Sequence, residues 1–113
     1  VGSHAAVAAE FLGSKKLVDA VVRDHRTAPI PEKEKALFDY VLAANASRGV
    51  VDRSHVESAR EAGWTDGALY DAATVVALFN FYNRWIDATG VHDMPAAAYD
   101  MSGKRMKDRG YVF

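Results

Sequence analysis

Four histidines, His4, His25, His55 and His92, are the side chains of this chain whose ordinary pKa suits acid–base work near neutral pH. None stands four residues from another, the spacing that lets two imidazoles share a metal from one helix face, and there is no His-Glu-x-x-His run. Cysteine is absent, which removes thiol nucleophiles, disulfides and thiolate metal sites from these residues. Phosphate-cradling glycine loops and a Gly-x-Ser-x-Gly nucleophile elbow are also missing. The expectation is therefore no metal and no cofactor. His25, His55 and His92 fall near helix ends and read as solvated or capping groups. His4 lies in an apolar stripe with Val7, Ala8 and Phe11, so it is either a satisfied core residue or a group aimed into a pocket.

The second polar anomaly is Phe79-Asn80-Phe81-Tyr82-Asn83-Arg84-Trp85. Helical projection sets Asn83 between Phe79 and Val76, inside the apolar face, with Arg84 on the other side and able to pair with Asp87. A buried, unpaired amide costs on the order of 1–3 kcal/mol, so such an amide should be hydrogen-bonded. Asn80 and Asn83 are accordingly read as structural polar groups of the core.

The elements that must position these residues are helices. Apolar positions at Val7, Ala8, Phe11 and Leu12 line one helical face, which Gly13 ends. Ser14 can cap a second helix with Leu17, Val18, Val21 and Val22 on its buried side, running to about His25. Pro31 suits a first helical position, followed by Glu32 and Glu34 at the positive end of the dipole and by Leu37, Phe38, Val41 and Leu42; Gly49 would close this helix. Asp52 or Ser54 can cap a short helix stopped at Gly63. Thr65 or Asp66 starts a long one to Gly90, whose apolar residues cover more than half its circumference. Pro95 opens a last amphipathic helix weakened at Gly103, and Tyr111 to Phe113 form a short apolar end. No alternating strand pattern, repeat or low-complexity tract is present. The expected fold is all-α, five to six helices around one long central helix.

Length and charge narrow the function. A chain of 113 residues suits one domain. A net charge of −1 gives no basic field for a nucleic acid or an anionic membrane. The run Ala59-Arg60-Glu61-Ala62-Gly63 before a new helix superficially suggests a helix-turn-helix. Its would-be recognition helix carries Asp66 and Asp71 and has no Lys or Arg before Arg84, so phosphate contacts are missing. No apolar stretch reaches the ~20 residues of a membrane span. Neither a Met nor a basic stretch opens the sequence, and Val1 reads as a cut end. A soluble, cytoplasmic protein is expected, with no nucleic-acid or membrane partner.

The stretch from Glu57-Ser58-Ala59-Arg60-Glu61-Ala62-Gly63-Trp64-Thr65-Asp66 through Phe79-Asn80-Phe81-Tyr82-Asn83-Arg84-Trp85-Ile86-Asp87-Ala88-Thr89-Gly90-Val91, with Tyr99 and Arg109-Gly110-Tyr111 at the end, resembles the peroxidase-related subgroup of the alkylhydroperoxidase D and carboxymuconolactone decarboxylase superfamily. Its most specific piece is the Phe-Asn-x-x-Asn-Arg order. The resemblance implies an all-helical, oligomeric fold. In active members it also implies peroxide reduction by a Cys-x-x-Cys pair, assisted by a histidine four positions after the second Cys and an upstream glutamate. Val1-Gly2-Ser3-His4-Ala5-Ala6-Val7-Ala8 resembles the family segment directly after that second Cys, which makes His4 the family histidine, the remnant of a proton relay. Both cysteines and the glutamate would fall before Val1.

The resemblance thus implies a thiol-dependent, peroxidase-related oxidoreductase with an antioxidant role, of which these residues are the C-terminal part. Peroxide and a dithiol reductant would be its partners only with the upstream Cys pair present, and the Cys-free chain is expected to be inactive by itself. The alternative is a non-catalytic helical oligomerisation or interaction domain. Two Trp, five Tyr and five Phe are more aromatic surface than one small helical layer covers, which predicts a homo-oligomer.

Overall fold

The computed structural model describes residues 2–46 and 51–111. They form six α-helices and, among the described residues, no strand: α1 (Gly2–Leu12), α2 (Lys15–Asp24), α3 (Glu32–Asn45), α4 (Arg53–Glu61), α5 (Asp66–Thr89) and α6 (Ala96–Arg109). No helix among them is long and apolar enough to cross a membrane. The chain divides into two compact units. Unit 1 joins the two ends of the sequence, Val1–Pro29 with His92–Phe113, and unit 2 is the continuous segment Ile30–Val91.

In unit 1, α1 packs against both α2 and α6. The α1–α6 contact is made by small residues. Gly103 of α6 is buried, and a Cβ added there would lie 3.0 Å from the Cβ and carbonyl carbon of Ala6 and 3.1 Å from its oxygen. Gly103, read from the sequence as a weak point of the last helix, is therefore the place where α6 approaches α1. Lys107 Nζ donates to the Glu10 carbonyl at 2.8 Å, satisfying one of the open carbonyls at the end of α1. Gly13 then takes φ +66°, a left-handed conformation open to glycine, and Ser14 Oγ accepts from the Leu17 amide at 3.1 Å to start α2. Val18 and Ala28 are buried, while Phe11, Leu12 and Val22 are exposed. Of the predicted apolar stripe of α1, Val7 and Ala8 are half-buried and only Phe11 and Leu12 are left exposed.

In unit 2, α3 packs against both α4 and α5. Tyr40, Ala59 and Leu69, one from each helix, form the buried centre, with Leu37, Val41, Val51, Val56, Trp64, Ala72 and Ala73 packed around it. Two polar tips are tied into this core. Tyr40 Oη donates to the Leu69 carbonyl at 3.3 Å, and Trp64 Nε1 donates to the Lys33 carbonyl at 2.7 Å, with Lys33 Nζ 4.4 Å above the indole. Asp52 caps α4 by accepting from the Ser54 amide at 2.7 Å, and Thr65 caps α5 by accepting from the Ala68 amide at 3.2 Å. Between them Gly63, at φ +99°, turns the chain, and Arg60 grips Asp66 through two nitrogens at 2.6 and 2.9 Å.

The start and end of α5 and the caps Ser14, Asp52 and Thr65 fall where the sequence predicts them. Two details differ. Pro31 precedes α3 as its N-cap instead of occupying the first helical position, and α3 ends at Asn45 with an extended Ala46 as C-cap. Gly49, expected to close that helix, lies outside the described residues. The long helix is also not enclosed within unit 2. Only Leu69 of α5 is buried, and Val75, Leu78, Phe81, Tyr82, Trp85 and Ile86 are exposed.

Candidate functional site

His4 sits in the first turn of α1. It is exposed, so the core reading of this residue is overturned: the stripe it belongs to is half-buried at Val7 and Ala8 but open at both ends, at His4 and at Phe11. Its ring stacks with that of Tyr111, with centroids 6.4 Å apart and planes 28° from parallel.

Unit 1 also holds a cleft of about 530 Å³ that His4 does not line. Gly2, Ala6 and Ala9 form part of its wall, with Glu10, Lys15, Asp19, Asp100 and Lys107 as charged groups. Both ammonium groups are engaged: Lys15 Nζ lies 3.4 Å from Asp19, and Lys107 is held by the Glu10 carbonyl. Tyr99, another lining residue, lies over Gly2 and donates its hydroxyl to Asp93 at 2.8 Å while accepting from the Met94 amide at 3.2 Å. The hydrogen bond to the Asp93 carboxylate raises the Tyr99 phenol above its ordinary pKa, and the Met94 amide opposes this. A phenol held this way braces the turn before α6 and is a poor proton donor or acceptor near neutrality. The cleft therefore combines alanine and glycine surface with a few charged groups, of which Lys15 and Asp19 pair with each other.

The other histidines divide by their helix ends. His25 occupies the C-cap position of α2 and is buried, so of its two expected readings the capping position holds and the solvated one does not. His55 is half-buried in the first turn of α4 with Nδ1 3.4 Å from Asp52 Oδ1, and His92 is exposed ahead of α6. Among the described residues no group of three or more His, Cys, Asp or Glu is placed to hold a metal ion.

Asn80 and Asn83 separate. Asn80 is half-buried, and its Nδ2 donates to Asn45 Oδ1 at 2.8 Å and to the Val76 carbonyl at 3.0 Å, tying α5 to the end of α3. Asn83 is exposed, which corrects its expected burial. The projection that placed it among Phe79 and Val76 assumes a covered face, and α5 is exposed from Phe81 onward, past the Asn80–Asn45 bond. Arg84 and Asp87 are exposed as well.

Sequence reasoning did not find the cleft or the His4–Tyr111 contact. Both depend on bringing the two ends of the chain together, and the only local hint was the run of small residues Ala5, Ala6, Ala8 and Ala9. Comparison of the chain with protein-family models, with curated proteins and with solved structures finds no match in any of the three.

Proposed function

We propose that this chain belongs to a thiol-dependent, peroxidase-related oxidoreductase of the alkylhydroperoxidase D-like type, in which it supplies the helical frame and the relay histidine His4, while a Cys-x-x-Cys pair is carried ahead of Val1. The observation that supports this reading is the exposure of His4 in the first turn of α1, the end of the helix that a thiol carried ahead of Val1 would approach. In the proposed chemistry a thiolate attacks the peroxide oxygen and breaks the O–O bond, leaving a sulfenic acid and an alcohol or water. The second thiol condenses with the sulfenic acid, releasing water and forming a disulfide, and an external dithiol returns the pair to the reduced state. His4 would help remove the thiol proton and favour the thiolate. In the same reading the helices are arranged as in that family and the protein is a cytoplasmic homo-oligomer.

Peroxide consumption with a dithiol reductant tests this, run on the 113-residue chain and on a form extended upstream through a Cys-x-x-Cys. The chain by itself should show no turnover, and the extended form should turn over with a rate reduced by roughly 10²–10⁴-fold in His4→Ala. An inactive extended form would overturn the oxidoreductase reading. Turnover by the Cys-free chain that vanishes in His4→Ala would overturn the thiol mechanism.

A second reading, a non-catalytic helical assembly domain, is favoured by one observation, the exposed aromatic side of α5. Homo-oligomerisation is common to both readings.

A further inference from the structure

The exposed residues of α5 form an ordered seam. Val75, Leu78, Tyr82 and Trp85 succeed one another at spacings of three, four and three, the period at which one helix side faces a partner helix. Their exposures are 52, 47, 47 and 56 %, and Phe81, beside them, is 63 % exposed. The side of α5 used within unit 2 is a different one. Leu69, Ala72, Ala73 and Asn80 face the unit 2 core and α3, and at 100° per residue they lie nearly opposite the outer seam. The helix is thus apolar on two sides, of which one is covered.

We infer that the outer seam of α5 pairs antiparallel with the same seam of a second copy of this chain, across a two-fold axis close to Phe81; this rests on the homo-oligomer reading above and adds its surface and register. Three observations commit the seam to that occupant. First, its N-terminal half is aliphatic and its C-terminal half aromatic. Antiparallel pairing sets Val75 against the partner's Trp85 and Leu78 against the partner's Tyr82, so each layer joins a small side chain to a large one. Parallel pairing would stack Trp on Trp and Val on Val, leaving one end crowded and the other hollow. Second, Asp71 continues the seam one step toward the N-terminus and is exposed. Parallel helices would set two like carboxylates face to face, whereas antiparallel helices place each opposite the partner's Thr89, at opposite ends of the interface. Third, aromatic side chains of roughly 150–250 Å² exposed to these extents, with their aliphatic neighbours, give roughly 500 Å² a side when wholly covered, and twice that meets the ~1,000 Å² a biological interface needs. A two-fold axis makes such a contact self-complementary and closes it at two copies.

Because the chain has no cysteine, single introduced cysteines report the register without background. Mixing Leu78→Cys chains with Tyr82→Cys chains, whose positions face each other next to the axis, should give a disulfide-linked dimer on mild oxidation. Val75→Cys alone should not, since the two copies of position 75 would lie about 15 Å apart along the helices, beyond the span of a disulfide. Mixing Val75→Cys chains with Trp85→Cys chains should restore the cross-link. Sedimentation at about 50 µM gives the state of the unmodified chain, and circular dichroism checks that the exposed-site variants keep their helix content. A dimer in sedimentation whose Val75→Cys variant links to itself, or whose mixed pair does not link, overturns the antiparallel register and leaves the homo-oligomer reading standing. A monomer in sedimentation overturns both.

Discussion

Asp52 and Asp66 each hold a negative charge at the beginning of a helix, and each has its pKa drawn below the ordinary aspartate range. For Asp52 the chief cause is the Ser54 hydroxyl donating to its carboxylate, with the Ser54 amide next; for Asp66 it is the hydrogen bond from Arg60. A carboxyl whose pKa is lower in the folded than in the unfolded chain adds stability above the unfolded value, about 4, and that contribution is lost as pH falls through the folded value. The α4 start and the α4–α5 turn should therefore loosen below about pH 4 while the rest of the helix content persists. Amide chemical shifts of residues 53–57 recorded through an acid titration would measure it. Asp52→Asn keeps a capping oxygen that does not titrate, so it should flatten the acid response of α4; an unchanged response would show that Asp52 is not its source. The caps Asp52 and Thr65 were legible in the sequence, since a cap is a local choice between a side-chain oxygen and a few nearby amides. The fates of Asn80 and Asn83 were not, because two amides three residues apart on one helix differ only in whether α3 reaches that far.

Helix α6 shows the same division between local and distant information. Its start at Pro95 and its end at Gly110 can be read from the chain, but the role of Gly103 depends on α1, which comes from the other end of the sequence. By intrinsic propensity Gly103→Ala should stabilise α6 by about 1 kcal/mol. The added Cβ would, however, press on the backbone of Ala6 at 3.0–3.1 Å, and backbone gives way less readily than a flexible side chain. Overpacking of this kind costs about 1–3 kcal/mol, which exceeds the propensity gain. Gly103→Ala should therefore lower stability by about 1 kcal/mol in urea unfolding, and Gly103→Leu by considerably more. A gain in stability for Gly103→Ala would show that α1 and α6 separate at no cost. Ala6 of α1 carries the complementary half of this contact. The predicted apolar face of α1, Val7, Ala8, Phe11 and Leu12, is half-buried at its first two positions and left exposed at its two large ones.

At the scale of the whole molecule, the interior is small for the chain that surrounds it. Among the described residues the buried set consists of Val18, Ala28, Tyr40, Ala59, Leu69 and His25, with Gly103, and no large side chain is completely enclosed. Folding stability is a narrow difference between apolar burial and conformational entropy, so a chain with this little interior gains much from anything that covers its exposed aromatic side. A second copy covering the α5 seam would bind only the folded form, and mass action then ties stability to concentration. For a chain that is mostly dimeric, each tenfold rise in concentration is worth about 1.4 kcal/mol per dimer, hence roughly 2–4 °C in Tm for a chain of this length. Thermal unfolding measured at about 5, 50 and 500 µM should show that rise. Trp85→Glu, which sets a carboxylate in the seam without disturbing the α3 contact, should unfold at a lower temperature that no longer depends on concentration. A Tm that stays constant across this range in the unmodified chain would mean that each chain reaches its full stability alone, with its aromatic seam in water.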